Sequence, residues 1–297
     1  MNHRAVGSVL FAAFCWGIIG LFIRPLSALG YTTMEICLVR AFVTAIFAFI
    51  WLAWRDPRKV KINPRDWWRF FGAGIVSFVF FSWCYFNCLL STSLSIAAVL
   101  LYTAPIFVMG FSVWLFKEHF TLRKGVALVL AFGGCVLVTG LLGGGSVQIG
   151  GTGILFGLGA GFGYALYSIF GRYGLMKYSS LTVTAWSFAF ATAGCLPFVN
   201  WGHLLGVMAA HPQSVWGLLA CGVITSAVPY VCYTAGLAHI EASRASIIAC
   251  FEPVVATVMG IVVYQEPVTV TGICGIICVL GAVFLLNSRT QKAPCRE

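Results

Sequence analysis

Long runs of apolar residues, each cut off by charged or turn-forming residues, decide what this chain can become. A helix crossing a bilayer core of ~30 Å uses ~20 mostly apolar residues. The 297-residue sequence offers ten such runs, near residues 5–23, 32–54, 67–89, 93–116, 121–142, 152–171, 179–199, 215–238, 243–264 and 267–287. They leave only short connections, with no room for a separate soluble domain. With 60% of residues apolar and 9% charged, there is too little charge to coat a soluble globule of this length. The sequence therefore predicts an all-helical integral membrane protein with ten crossings.

The charges give the orientation. If the amino terminus is cytoplasmic, sixteen of the eighteen Lys and Arg fall on that side: Arg4, the segment from Arg55 to Arg69, Lys117 to Lys124, Arg172, Lys177, Arg244 and the final Arg289, Lys292 and Arg296. Arg24 stands on the opposite side and Arg40 inside the second run. That bias predicts an even number of crossings with both termini in the cytoplasm, as in a cell (inner) membrane. The formal net charge of +10 is thus a topology signal rather than the basic face that a nucleic acid requires. A second reading of residues 55–69 is attraction to acidic membrane lipids. The first run starts within a few residues of Met1 and lacks a small-residue cleavage pattern, which favours a retained helix over a removed signal peptide.

Twelve cysteines and five histidines raise the question of a disulfide or metal framework. Eleven of the cysteines sit inside apolar runs and read as small packing residues, while every histidine falls in or beside a connection. No metal site is expected. Neither a dinucleotide fingerprint nor a phosphate loop is present, because the glycines from Gly153 to Gly163 follow no strand and no Gly-Lys-[Ser/Thr] run occurs. No cofactor and no ATPase are expected.

Sliding the chain against itself by 148 residues aligns Trp16 with Tyr164, Arg24 with Arg172, Tyr85 with Tyr233, Ser95 with Ser243, Pro105 with Pro253, Glu118 with Glu266 and Thr121 with Thr269. One constant offset links the first five runs with the last five. A unit with an odd number of crossings must be inserted upside down when repeated, so the prediction is two inverted five-helix repeats. Residues 1–142 form the first, residues 152–287 the second, residues 143–151 a Gly-rich linker and residues 288–297 a cytoplasmic tail.

The run from Ser95 to Pro105 followed by Glu118, its counterpart from Ala245 to Pro253 followed by Glu266, the Trp16-Gly17 pair and Arg40 are similar to the paired signatures of EamA-type carriers in the drug/metabolite transporter superfamily. The resemblance covers nearly the whole chain. It implies a secondary transporter that works by alternating access, an exporter of amino acids or related metabolites rather than an enzyme. It also implies a central cavity between the first, third, fourth, sixth, eighth and ninth helices.

Within those helices, Glu252 is the most informative residue, because an ionised carboxylate near the bilayer midplane costs ~2.5–3.5 kcal/mol on insertion scales. It is a candidate proton acceptor, the anionic partner of a cationic substrate group, or a hydrogen-bonded carboxyl that serves helix packing. Pro253 and Pro105 each withdraw a backbone hydrogen bond at matching depth, from the carbonyls of Ala249 and Leu101, and so shape the walls of a midplane site. Arg40 reads as a gate, as a contact to a substrate carboxylate, or as a snorkelling side chain or interhelical anchor on the outer half; Glu35, about 140° away around the same helix, is badly placed to pair with it.

Trp16, Tyr85, Asn87, Tyr102, Tyr164, Tyr230 and Tyr233 complete the candidate substrate-binding set, with ring faces suited to flat apolar groups or cations. Asn87 aligns with Ala235 and so breaks the internal symmetry, as a specificity residue would. The expected partners are a small-molecule substrate and membrane lipids, with proton coupling and a homodimer left open. The competing classes are an importer of the same fold, an intramembrane lipid-modifying enzyme using Glu35 and Arg40, and a non-transporting scaffold.

Overall fold

The computed structural model describes residues 3–139 and 151–288, which form helices and turns without a strand. Among them, nine helices are long and apolar enough to cross a membrane: His3–Ala28, Thr33–Arg55, Pro64–Ser91, Ser95–Phe116, Gly151–Leu175, Ser180–Phe198, Ser214–Leu237, Ala242–Tyr264 and Val270–Asn287. Leu122–Val138 takes the fifth place in chain order with 17 residues. At 1.5 Å per residue it is about 26 Å long, close to the thickness of a hydrocarbon core. We number these helices as spans one to ten. The expected linker, apart from Gly151, and the expected tail, apart from Ser288, lie outside the described residues.

The internal repeat is written into the backbone. Spans four and nine are both interrupted. Helix Leu94–Leu101 stops and restarts as Ala104–Phe116, while Ala242–Ala249 stops and restarts as Glu252–Tyr264, with Pro105 and Pro253 in the first turn of each second piece. Both second pieces end on a non-glycine residue in the left-handed region, Lys117 at φ 53° and Gln265 at φ 55°. Thr121 and Thr269 then cap the next helix through their side chains. A π-helical stretch also recurs, at Gly72–Val79 in span three and Val223–Ala227 in span eight. Each of these features reappears at the 148-residue offset, which gives the fold as two five-helix repeats of opposite orientation in a multi-pass membrane protein.

Packing crosses between the repeats. Span one lies chiefly against spans eight and nine, and span six against spans three and four. Span five runs along span ten, and span two along span seven. Glycines permit close backbone approach at two of these contacts. A Cβ on Gly17 would lie 2.7 Å from the Glu252 carbonyl oxygen, and one on Gly134 would lie 2.8 Å from the Gly275 carbonyl oxygen.

Local structure departs from the sequence expectation at two places. Span one continues to Ala28 and is broken between His3–Gly17 and Gly20–Ala28. The connection between spans seven and eight carries a further short helix, Trp201–Ala210, capped by the Asn200 side chain. Most of the cysteines inside spans are buried and free, in keeping with a packing role, although Cys274 is exposed.

Candidate functional site

The broken helices of spans four and nine meet spans one, two, three, six and eight around a cavity of about 400 Å³. That size lies within the range of small-molecule sites, ~300–1,000 Å³. Glu252 is set on its wall by the interruption of span nine: as the first residue of Glu252–Tyr264, it faces the positive end of a helix whose first amides lack internal partners. The Tyr164 hydroxyl donates to Glu252 Oε2 at 3.4 Å, a long contact for a carboxylate acceptor. Gly17 brings span one down onto the Glu252 carbonyl and leaves Trp16 on the cavity wall.

Aromatic rings make most of the remaining surface. Trp16 stands edge-on to Tyr164 and Tyr230, with centroids 6.2 and 5.2 Å away, and is tilted against Tyr233 at 5.4 Å. Phe81 stacks on Tyr85 and meets Tyr164 edge-on, both at 5.7 Å. The deeper tyrosines are held by polar partners: Tyr233 shares a 2.7 Å hydrogen bond with Ser168, and Tyr167 a 3.1 Å hydrogen bond with Thr234. The hydroxyls of Tyr85, Tyr102 and Tyr230 have no protein partner among the described residues and stand on the cavity wall.

Span two adds Thr33, Cys37 and Arg40, which share one helical face at spacings of four and three. The Arg40 guanidinium donates from Nη2 to the Thr225 carbonyl at 3.0 Å, while its Nε has no partner. Thr225 lies in the π-helical turn of span eight, where the wider winding disturbs the regular carbonyl ladder. Arg40 is therefore both anchored and cavity-lining. Glu35 is turned elsewhere, forming a capping box with Thr32 and a 2.8 Å contact with His203 Nδ1 of the short helix.

The cavity opens on the face where spans one and nine end. Arg24 and Tyr264 form its mouth, the Arg24 guanidinium lying 4.1 Å from the Tyr264 ring centre and donating to Glu266 at 2.9 Å. The opposite face is sealed across the repeats. Glu118 accepts from the Ala242 amide at 2.9 Å and from the Ser243 hydroxyl. Lys124 lies 2.9 Å from Glu241 and 3.8 Å from Glu118. Within the second repeat, Arg172 of span six donates to the carbonyls of Leu237 and Ile240 at 2.8 and 3.4 Å.

Of the candidate residues from the sequence, Trp16, Tyr85, Tyr102, Tyr164, Tyr230, Arg40 and Glu252 line this one cavity. Tyr233 lies beneath it, beside a much smaller void. Asn87 does not reach the wall; its amide folds back onto the Trp83 carbonyl of its own helix at 2.8 Å. Sequence reasoning passed over Arg24, Cys37, Phe81, Ser82 and Tyr264. Only Arg24 carried a visible signal, as the lone cation expected on its face.

Comparison with known proteins agrees with this architecture. The chain is 26% identical over 278 residues to an uncharacterized transporter of Archaeoglobus fulgidus, covering 94% of each. It is 24% identical over 302 residues to the uncharacterized transporter YcbK of Bacillus subtilis, covering 98% of this chain and 97% of the relative. A crystal structure of a protein 15% identical in sequence shares the fold with a TM-score of 0.79, covering 97% of both chains. The model of the EamA-like transporter family matches twice, over residues 3–140 and 151–288. With both repeats matched and a cavity between them, the chain belongs to the EamA-like transporter family and is a membrane transporter.

Proposed function

We propose that this transporter exports a small organic zwitterion, an amino acid or a related metabolite, across the cytoplasmic membrane by alternating access. The observation that carries the reading is a cavity with one carboxylate, Glu252, and the Arg40 guanidinium among ring faces on its inner wall, with Arg24 at its mouth, open on one side and sealed on the other. Opposite charges suit an ammonium and a carboxylate on one ligand, and the rings suit its apolar part. Residues 1–142 and 152–287 rock about the breaks at Pro105 and Pro253, and Glu252 exchanges its bound cation for a proton during turnover. The concentration of Arg and Lys on the sealed face supports a cytoplasmic position for that face; the state described here is then open to the outside.

The test is solute counterflow in proteoliposomes containing only this protein. Exchange of a labelled amino acid against an internal unlabelled pool is the expected result. No exchange with any zwitterion from a thermal-shift screen, where a binder stabilises the folded state, refutes the reading.

A further inference from the structure

The two faces of the molecule hold the same side chains in different partnerships. On the sealed face, Glu118 caps Ala242 and Ser243, and Arg172 donates to the Leu237 and Ile240 carbonyls. The 148-residue offset turns these contacts into a second set: Glu266 with the Leu94 amide and the Ser95 hydroxyl, and Arg24 with the Leu89 and Thr92 carbonyls. Every one of the required groups is present, yet none of these contacts is made in this state. Arg24 and Glu266 are instead joined to each other at 2.9 Å, each about half exposed.

The backbone is prepared for the exchange. Glu118 and Glu266 both follow a left-handed residue, and their amides donate to Ser112 and Gly260 at 3.1 and 3.2 Å, so both carboxylates leave from the same kind of hinge. Gly260 supplies the space in which the Glu266 carboxylate now lies, since a Cβ there would sit 2.4 Å from Glu266 Oε2. Leu89, one of the carbonyls that Arg24 would reach, already lines the open cavity.

From this we infer that Arg24, Glu266 and Ser95 form the second gate of the transport cycle. To close the open face, the Arg24–Glu266 pair parts, Glu266 docks on Leu94 and Ser95, and Arg24 docks on the Leu89 and Thr92 carbonyls, while Glu118 and Arg172 are released on the other face and pair with each other. This rests on the alternating-access reading above. One exchange set replaces another of the same chemistry, which keeps the two states close in free energy. Lys124 breaks the balance: its counterpart is Gly272, so its contacts with Glu118 and Glu241 have no equivalent at the second gate. They favour the state described here.

The experiment compares Ser95→Ala with Ser243→Ala in nanodiscs and proteoliposomes. In a Met259→Cys background, the thiol on the cavity wall is labelled by a bulky impermeant maleimide, with the Met259-containing protein as blank. Ser243→Ala removes a hydrogen bond to a carboxylate from the sealed face, shifts the equilibrium about tenfold away from the open state and slows labelling about two- to fivefold. Ser95→Ala, which removes a contact absent from this state, leaves labelling at or above the parent rate.

In the native background, Ser95→Ala lowers counterflow about tenfold with substrate affinity unchanged, and Ser95→Thr, which keeps the hydroxyl, restores it. Equal labelling in both serine variants, or parental counterflow in Ser95→Ala, overturns the gate assignment. A parent protein without counterflow overturns the transport reading instead, and the labelling contrast still tests the gate.

Discussion

Replacing Glu252 by Gln keeps the side chain's size and its contact with Tyr164 but removes the only carboxylate on the cavity wall among the described residues. The magnitude follows from the geometry. At 3.4 Å the Tyr164 hydroxyl is well beyond the ~2.5–2.7 Å of a strong bond to a carboxylate, so the wild-type group enters binding without a strong side-chain partner to displace. An ammonium docking there gains a charge-assisted hydrogen bond of about 1.5–3 kcal/mol, and its loss in Glu252→Gln weakens binding about 10- to 150-fold. The sign with pH follows too. A cation binds the ionised carboxylate, so wild-type affinity rises with pH and falls as the group protonates, whereas the Gln variant gives a flat profile. Binding measured by calorimetry in nanodiscs across a pH series reads both effects. Equal affinities, or parallel pH slopes in wild type and variant, would refute a cation-binding role for Glu252.

Other expectations follow from the same coordinates. Arg40→Gln weakens zwitterions about tenfold by removing a charge-assisted partner for their carboxylate; simple amines, lacking that group, bind it as they bind the wild type, and an equal loss for both ligands in a thermal-shift titration rejects this role. Ala256 is exposed on the cavity wall, so Ala256→Trp fills the space with a ring and abolishes counterflow while the protein still elutes as a folded species. Parental exchange would show that substrate travels elsewhere. Gly134→Val places a Cβ 2.8 Å from the Gly275 carbonyl oxygen and 2.7 Å from Val279 Cγ2, forcing spans five and ten apart at about 1–3 kcal/mol, read as a lower unfolding temperature in detergent. An unchanged temperature means the helices can separate without strain.

Much of the architecture was legible because membrane spans, proline breaks and a constant repeat offset are local or linear signals. Pro105 and Pro253 announce the interruptions directly, and the scarcity of charge makes Glu252 conspicuous. What stayed hidden depends on rotation and on distant partners. Cys37 and Thr33 look like ordinary residues of an apolar run until the direction of span two is known. Asn87 stood out only because it differs from Ala235, a comparison that says nothing about which way the side chain points; its bond to Trp83 settles that within one helix. The Trp201–Ala210 helix is too short for a span, and its anchor, His203 on Glu35, joins residues 168 positions apart. The Arg24–Glu266 pair was invisible for the same reason, although both members were recognised as parts of the repeat.

Span one leans on spans eight and nine, and span six on spans three and four, so each half lends its opening helix to its neighbour. A solitary half would leave that helix without a bed and a glycine-lined cleft without an occupant. Its natural complement is a twin threaded into the lipid the other way up. One chain carrying both copies thus holds together a pairing that two separate halves could make only by entering the membrane in opposite directions.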